Sequence, residues 1–112
     1  MNGEERGKEL EAELKRILVI LEKRVRPEKV ILFGSLASGR LNPQSDIDLL
    51  IVQDSKESIF DRVKKLEGML ERRYAADLIV LTPKEVQILQ NSGNRYLKEI
   101  FSSGRVLYER TA

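Results

Sequence analysis

Residues 34 to 48 read Gly-Ser-Leu-Ala-Ser-Gly-Arg-Leu-Asn-Pro-Gln-Ser-Asp-Ile-Asp. The stretch follows one apolar run, Val30 to Phe33, and its closing Asp-x-Asp pair opens another, Leu49 to Val52. Both runs are too short for a helix and rich in β-branched residues, so they read as buried strands. Between them, residues 35 to 38 form a brief helix ended by Gly39, and Asn42-Pro43-Gln44-Ser45 makes a turn that delivers the chain to the second strand. The fold is built outward from this strand, turn and strand.

Upstream, Leu10, Leu14, Ile17, Leu18, Leu21 and Val25 recur at helical spacing, which predicts a helix from about Glu5 to Arg26, stopped by Pro27. Its charged residues read as a solvated face. Downstream, Ile59, Val63, Leu66 and Leu70 predict a helix from about Ser58 to Tyr74, and Asp77 to Leu81 a third strand. Thr82-Pro83-Lys84-Glu85 combines an N-cap, proline at the first helical position and a reciprocating glutamate, so another helix starts there. Asn91 to Asn94 breaks it, Tyr96 to Phe101 continues as helix, and after Gly104 a short edge strand, Val106 to Tyr108, closes the chain. Alternating helices and strands predict an α/β layer structure with a small mixed sheet flanked by helices. The helix between strands two and three makes those strands parallel, whereas Gly34 reaches the Asp-x-Asp edge only if strand one runs antiparallel to strand two.

The 112 residues are expected to form a single domain spanning 1–112, since 41% apolar content suffices for one core. There is no Cys or His, which excludes thiol nucleophiles, imidazole bases, disulfides and Cys/His zinc sites together. A net charge of +2 gives no support to a nucleic-acid surface. No apolar stretch is long enough for a bilayer, and the charged N-terminus lacks a leader's apolar core, so a cytoplasmic location is expected.

Asp46 and Asp48 leave the same face of an extended segment, about 6.5 to 7 Å apart along the backbone. Two carboxylates so placed suit two divalent ions ~3.5 to 4 Å apart, the arrangement for in-line displacement at phosphorus, with Mg²⁺ favoured and Mn²⁺ an acceptable substitute. Asp77 is the third carboxylate, because a charge opening a buried strand needs a reason. At Gly34 a missing Cβ lets phosphate oxygens approach the backbone, and Ser35 adds a hydroxyl donor. Arg40 and Ser45 are further nucleotide-binding candidates. Neither half of the motif is informative alone; together they supply what nucleotidyl transfer requires. Asp54, Glu57 and Asp61 read as turn and cap residues, and Tyr96, Phe101 and Tyr108 as core.

With these residues in place, the chain resembles a minimal nucleotidyltransferase of the DNA polymerase β superfamily. The likeness covers nearly the whole chain. It implies a palm-like mixed sheet in which Asp46 and Asp48 bind two Mg²⁺ ions, Asp77 completes the site and helps deprotonate the attacking hydroxyl, and Gly34 and Ser35 hold the phosphates of an NTP, with ATP as donor. One departure is visible: Leu36 and Ser38 stand where many relatives carry basic residues, leaving Arg40 as the nearest cation. Single-domain members are similar to the antitoxin of HEPN/MNT toxin and antitoxin pairs, which implies AMP transfer to a HEPN-domain toxin. A second copy of the chain is an alternative way to complete the site. The competing expectations are transfer to a small molecule or an RNA end, and a non-catalytic module that masks a toxin.

Overall fold

The computed structural model describes residues 2–111. Helix α1 (Gly3–Ile20) is capped by the Asn2 side chain and passes into a π turn, Leu21–Val25. Strand β1 (Lys29–Phe33) leads through the short α2 (Gly34–Ser38) to β2 (Ile47–Val52). Then come α3 (Ile59–Leu70), β3 (Ala76–Leu81), α4 (Pro83–Asn91), α5 (Arg95–Ser103) and β4 (Arg105–Glu109). The sheet order is β3-β2-β1-β4. β1 is antiparallel to β2 and β4, and β2 is parallel to β3, as the motif demanded.

Alternation along the strands divides the core in two. Val30, Leu32, Ile47, Leu49, Ile51, Leu78 and Val80 pack with Leu10, Leu14, Ile17, Leu66 and Leu70 of α1 and α3. On the other face Ile31, Phe33, Leu50, Val52 and Leu81 pack with Val86 of α4 and Leu97 and Ile100 of α5. Asp48 and Asp77 occur at alternate positions with Leu50 and Ile79, so both belong to the α4–α5 face.

Two helix ends differ from expectation. The first helical stretch does reach Val25, but its last five residues wind as a π turn, and Arg26 at φ 53° closes it before Pro27 acts. Helix α3 stops at Leu70 instead of Tyr74, with Glu71 left-handed at φ 46°. The cause lies in α1: Arg16 donates to the carbonyl oxygens of Leu70 (2.8 Å) and Glu71 (3.3 Å), and Glu13 accepts from the Arg73 amide at 2.7 Å. These contacts satisfy groups that a longer helix would have used internally. They also correct the reading of α1 as a merely solvated charged face, because Glu13 is buried. The capping box at Thr82 and Glu85 is as expected.

Candidate active site

Gly34 sits at φ +73°, a conformation that side chains rarely adopt, and a Cβ built on it would collide with the Asp48 carboxylate. The glycine therefore allows the acid on β2 to lie directly against the turn. Phe33 pairs with Asp48 across β1 and β2, and Asp48 pairs with Asp77 across β2 and β3. Three neighbouring strands thus bring the Gly-Ser turn, Asp48 and Asp77 to one lip of the sheet. Asp77 is exposed, yet its register position keeps it beside Asp48.

Burial, first, and then the charge and hydrogen-bonding reach of Asp77 and the charge of Asp46 push the Asp48 carboxyl up from 3.8 to about 6. Such crowding is unfavourable unless a proton or a cation relieves it. Asp46, just before β2, is turned differently. Its Oδ1 stands 3.9 Å from Nη2 of Arg6 on α1, and Arg6 also donates through Nε to the Ser45 carbonyl oxygen at 2.9 Å. Among the described residues no three acidic side chains converge closely enough to cage a metal ion as they stand. The expected meeting of three acids is thus a pair, Asp48 with Asp77, plus a neighbour that faces an arginine.

Beside the turn lies a cleft of about 540 Å³. Gly34, Ser38, Arg40 and Asp48 form one side of it, and Tyr96 and Glu99 of α5 the other. Arg40 is exposed and within this cleft, as a phosphate contact requires. Ser35 is the second residue of α2, and its carbonyl accepts from the Gly39 amide at 3.0 Å, which shapes the loop. Ser45 is not among the residues that line this cleft. It is buried, and its hydroxyl accepts from the Asn42 amide at 2.9 Å, so it locks the turn behind Asp46.

Tyr96, expected in the core, is 61% exposed, edge-on to Phe33 at 6.1 Å. Leu97 and Ile100 are the buried positions of α5. Tyr96 and Glu99, one residue before each, consequently fall on the flank that faces the cleft. That offset was readable from the sequence; which flank faced the acids was not. Phe101 and Tyr108 are partly buried against the core, as expected. At the other end of β2 a cleft of about 360 Å³ is lined by Arg24, Lys56 and Lys65 together with Asp54 and Glu57. Its mixed charge resembles ordinary surface, and it is remote from the acidic lip.

Residues 15–112 match the family described as Polymerase beta, Nucleotidyltransferase. The chain belongs to this nucleotidyltransferase family. It is 35% identical over 85 residues to a candidate protein adenylyltransferase of Methanocaldococcus jannaschii, covering 76% of this chain and 82% of that protein. Its fold is similar to the crystal structure of a candidate nucleotidyltransferase from Sulfolobus solfataricus (TM-score 0.67, 23% identity, 95% of this chain and 86% of that one). A chain from a toxin-antitoxin crystal structure with AMP-PNP also shares the fold (TM-score 0.52, 17% identity, 87% of this chain and 73% of that one). The mixed sheet of this nucleotidyltransferase is therefore a fold it shares with these structures. No helix among the described residues is long and apolar enough to cross a membrane.

Proposed function

We propose that this nucleotidyltransferase moves AMP from ATP to a hydroxyl of a partner protein, with a toxin of the HEPN type as the expected partner. The observation that carries the reading is the crowded Asp48–Asp77 pair set against Gly34, beside a cleft large enough for a nucleotide. The adenylyl and protein-acceptor details draw support from the archaeal relative's name, and the toxin partner from the fold shared with the toxin-antitoxin chain.

The donor chemistry at the lip suits Mg²⁺ or Mn²⁺: all three candidate ligands are carboxylates, hard oxygens, and Asp48 is pushed to about 6 first by burial and then by the neighbouring acids Asp77 and Asp46. Asp46, Asp48 and Asp77 would hold two such ions. When bound, the metal supplies Lewis-acid stabilisation of the charge that develops on the transferring phosphoryl group and on the leaving pyrophosphate. The remaining work falls to the chain. Gly34 and Ser35 offer backbone and hydroxyl donors to the phosphates, and Arg40 adds positive charge from the cleft. The acceptor oxygen attacks the α-phosphorus, the bond from that phosphorus to the β-bridging oxygen breaks, and pyrophosphate departs. Asp77, the most accessible of the acids, is placed to take the acceptor's proton. Tyr96 and Glu99 form the wall against which donor or acceptor is oriented.

The test is to incubate the chain with ATP, Mg²⁺ and a candidate HEPN protein, and to weigh that protein by mass spectrometry. A gain of one AMP that disappears in Asp46→Asn/Asp48→Asn, with the fold retained, is the expected result. Transfer at the wild-type rate in that double variant would refute the site. Neutralisation of the toxin without any mass gain would replace modification by masking.

A further inference from the structure

We propose that Arg6 is a counter-ion latch on Asp46: a positioning residue that competes with a divalent cation for the first acid of the Asp-x-Asp pair. The proposal rests on the metal-binding reading of the acidic lip. Helix α1 grips the chain on either side of that lip.

Four polar side chains of α1 reach the segments that feed β2 and β3. Arg6 holds the Ser45 carbonyl and faces Asp46; Glu9 accepts from the Tyr74 hydroxyl at 2.7 Å; Glu13 and Arg16 hold the chain between Leu70 and Arg73. The helix also lies close on the loop before β2, since a Cβ on Gly3 would meet the Leu41 carbonyl oxygen at 2.7 Å. Within this rail, Arg6 is fixed on two sides. Its Nε is bonded to Ser45, and its guanidinium lies over the Tyr74 ring, 5.2 Å from the centroid.

The two members of the ion pair are held unequally. The Arg6 side chain is 16% exposed, whereas that of Asp46 is 41% exposed and separated from the guanidinium by 3.9 Å, beyond hydrogen-bond distance. The cation is anchored and the carboxylate is not. A fixed positive charge at that distance stabilises Asp46 when no metal is present, and repels a metal ion that would use the same oxygens. Arg6 therefore weakens cation binding by the strength of one partly screened ion pair. It lies in the first turns of α1, ahead of residues 15–112, the part of the chain that matches the family.

The test measures Mn²⁺ binding to the full chain by electron paramagnetic resonance, with and without a non-hydrolysable ATP analogue, alongside thermal melting. Arg6→Gln removes the charge and should tighten Mn²⁺ binding about three- to tenfold. Raising ionic strength should shrink the difference between Arg6→Gln and wild type. Arg6→Lys keeps the charge but loses the Ser45 bond and the Tyr74 stacking that fix it, so its Mn²⁺ affinity should fall between those of wild type and Arg6→Gln. Unchanged or weaker binding in a folded Arg6→Gln would overturn the latch, and so would an Arg6→Lys that binds Mn²⁺ more tightly than Arg6→Gln. Absence of Mn²⁺ binding by the wild-type chain would remove the latch together with the metal reading, whereas wild-type binding unmoved by Arg6→Gln would remove the latch alone.

Discussion

Glu13 on α1 and Asp48 on β2 are both carboxylates drawn into the protein, and they respond in opposite ways. Glu13 is held at about 2, below the usual 4.5, first by its hydrogen bonds to Arg16, which with the Arg73 amide outweigh the effect of burial. Asp48 is pushed to about 6 by burial and by two further acids. Both carboxylate oxygens of Glu13 find donors inside; Asp48 has been placed where its neighbours repel it. The difference separates an acid that holds the fold from one kept available for a ligand.

The largest effect that would break this contrast is loss of the satisfied acid. Glu13→Gln should destabilise the chain by about 2 to 3 kcal/mol, because it turns a buried carboxylate that accepts from Arg16 and the Arg73 amide into an amide whose NH₂ faces those donors. The pH dependence has a definite sign. Since folding depresses the pKa of Glu13, its contribution is complete above 4.5 and is lost as the pH falls toward about 2. Denaturant unfolding of wild type and Glu13→Gln across that window should converge at the acid end.

Asp48→Asn should do the reverse. Folding raises the Asp48 pKa, so the protonated form is the favoured one, and its stabilisation is present below 3.8 and lost as the pH rises through about 6. At pH 7.5 without divalent ions, Asp48→Asn should therefore be more stable by about 1 to 2 kcal/mol after allowance for solvent screening, and no more stable than wild type at pH 3.5. The same variant should lose AMP transfer. Greater stability with lost activity is the signature of a strained site.

A smaller effect sharpens the assignment of cause. Asp77→Asn should lower the Asp48 midpoint by about one unit at most, followed by NMR titration of the carboxyl carbon, because burial remains. An unchanged midpoint would show that the two strands do not bring their acids into contact. The smallest effect belongs to the cleft wall: Tyr96→Ala should change stability by less than about 1 kcal/mol, given the ring's exposure and its single edge contact with Phe33. Its consequence should be seen in the KM for ATP or acceptor instead.

The Gly-Ser turn, the Asp-x-Asp pair and the strand-opening Asp77 were legible in the sequence because each is a local pattern with a geometric consequence. A glycine after an apolar run predicts a tight turn, and alternate acids predict one face. Strand directions followed too, since only one combination brings Gly34 and Asp48 to the same edge. Ser45 reads as a ligand because it is a hydroxyl beside an acid, while its engagement with the Asn42 amide depends on how the turn closes. Tyr96 was misread because an aromatic residue at helical spacing is normally buried, and only the seating of α5 decides which flank is left open.

The amino-acid order by itself determined the alternation of helices and strands, the mixed sheet and the position of the three acids along it, since periodicity and turn chemistry act over a few residues. Tertiary structure alone decided which charges of α1 go inside, where α3 ends, and that Asp46 faces Arg6 while Asp48 faces Asp77. Those outcomes join residues such as Glu13 and Arg73, or Arg6 and Ser45, that are far apart in the chain. Their partners are set by the packing of one helix across two strand ends, and no local pattern encodes that contact.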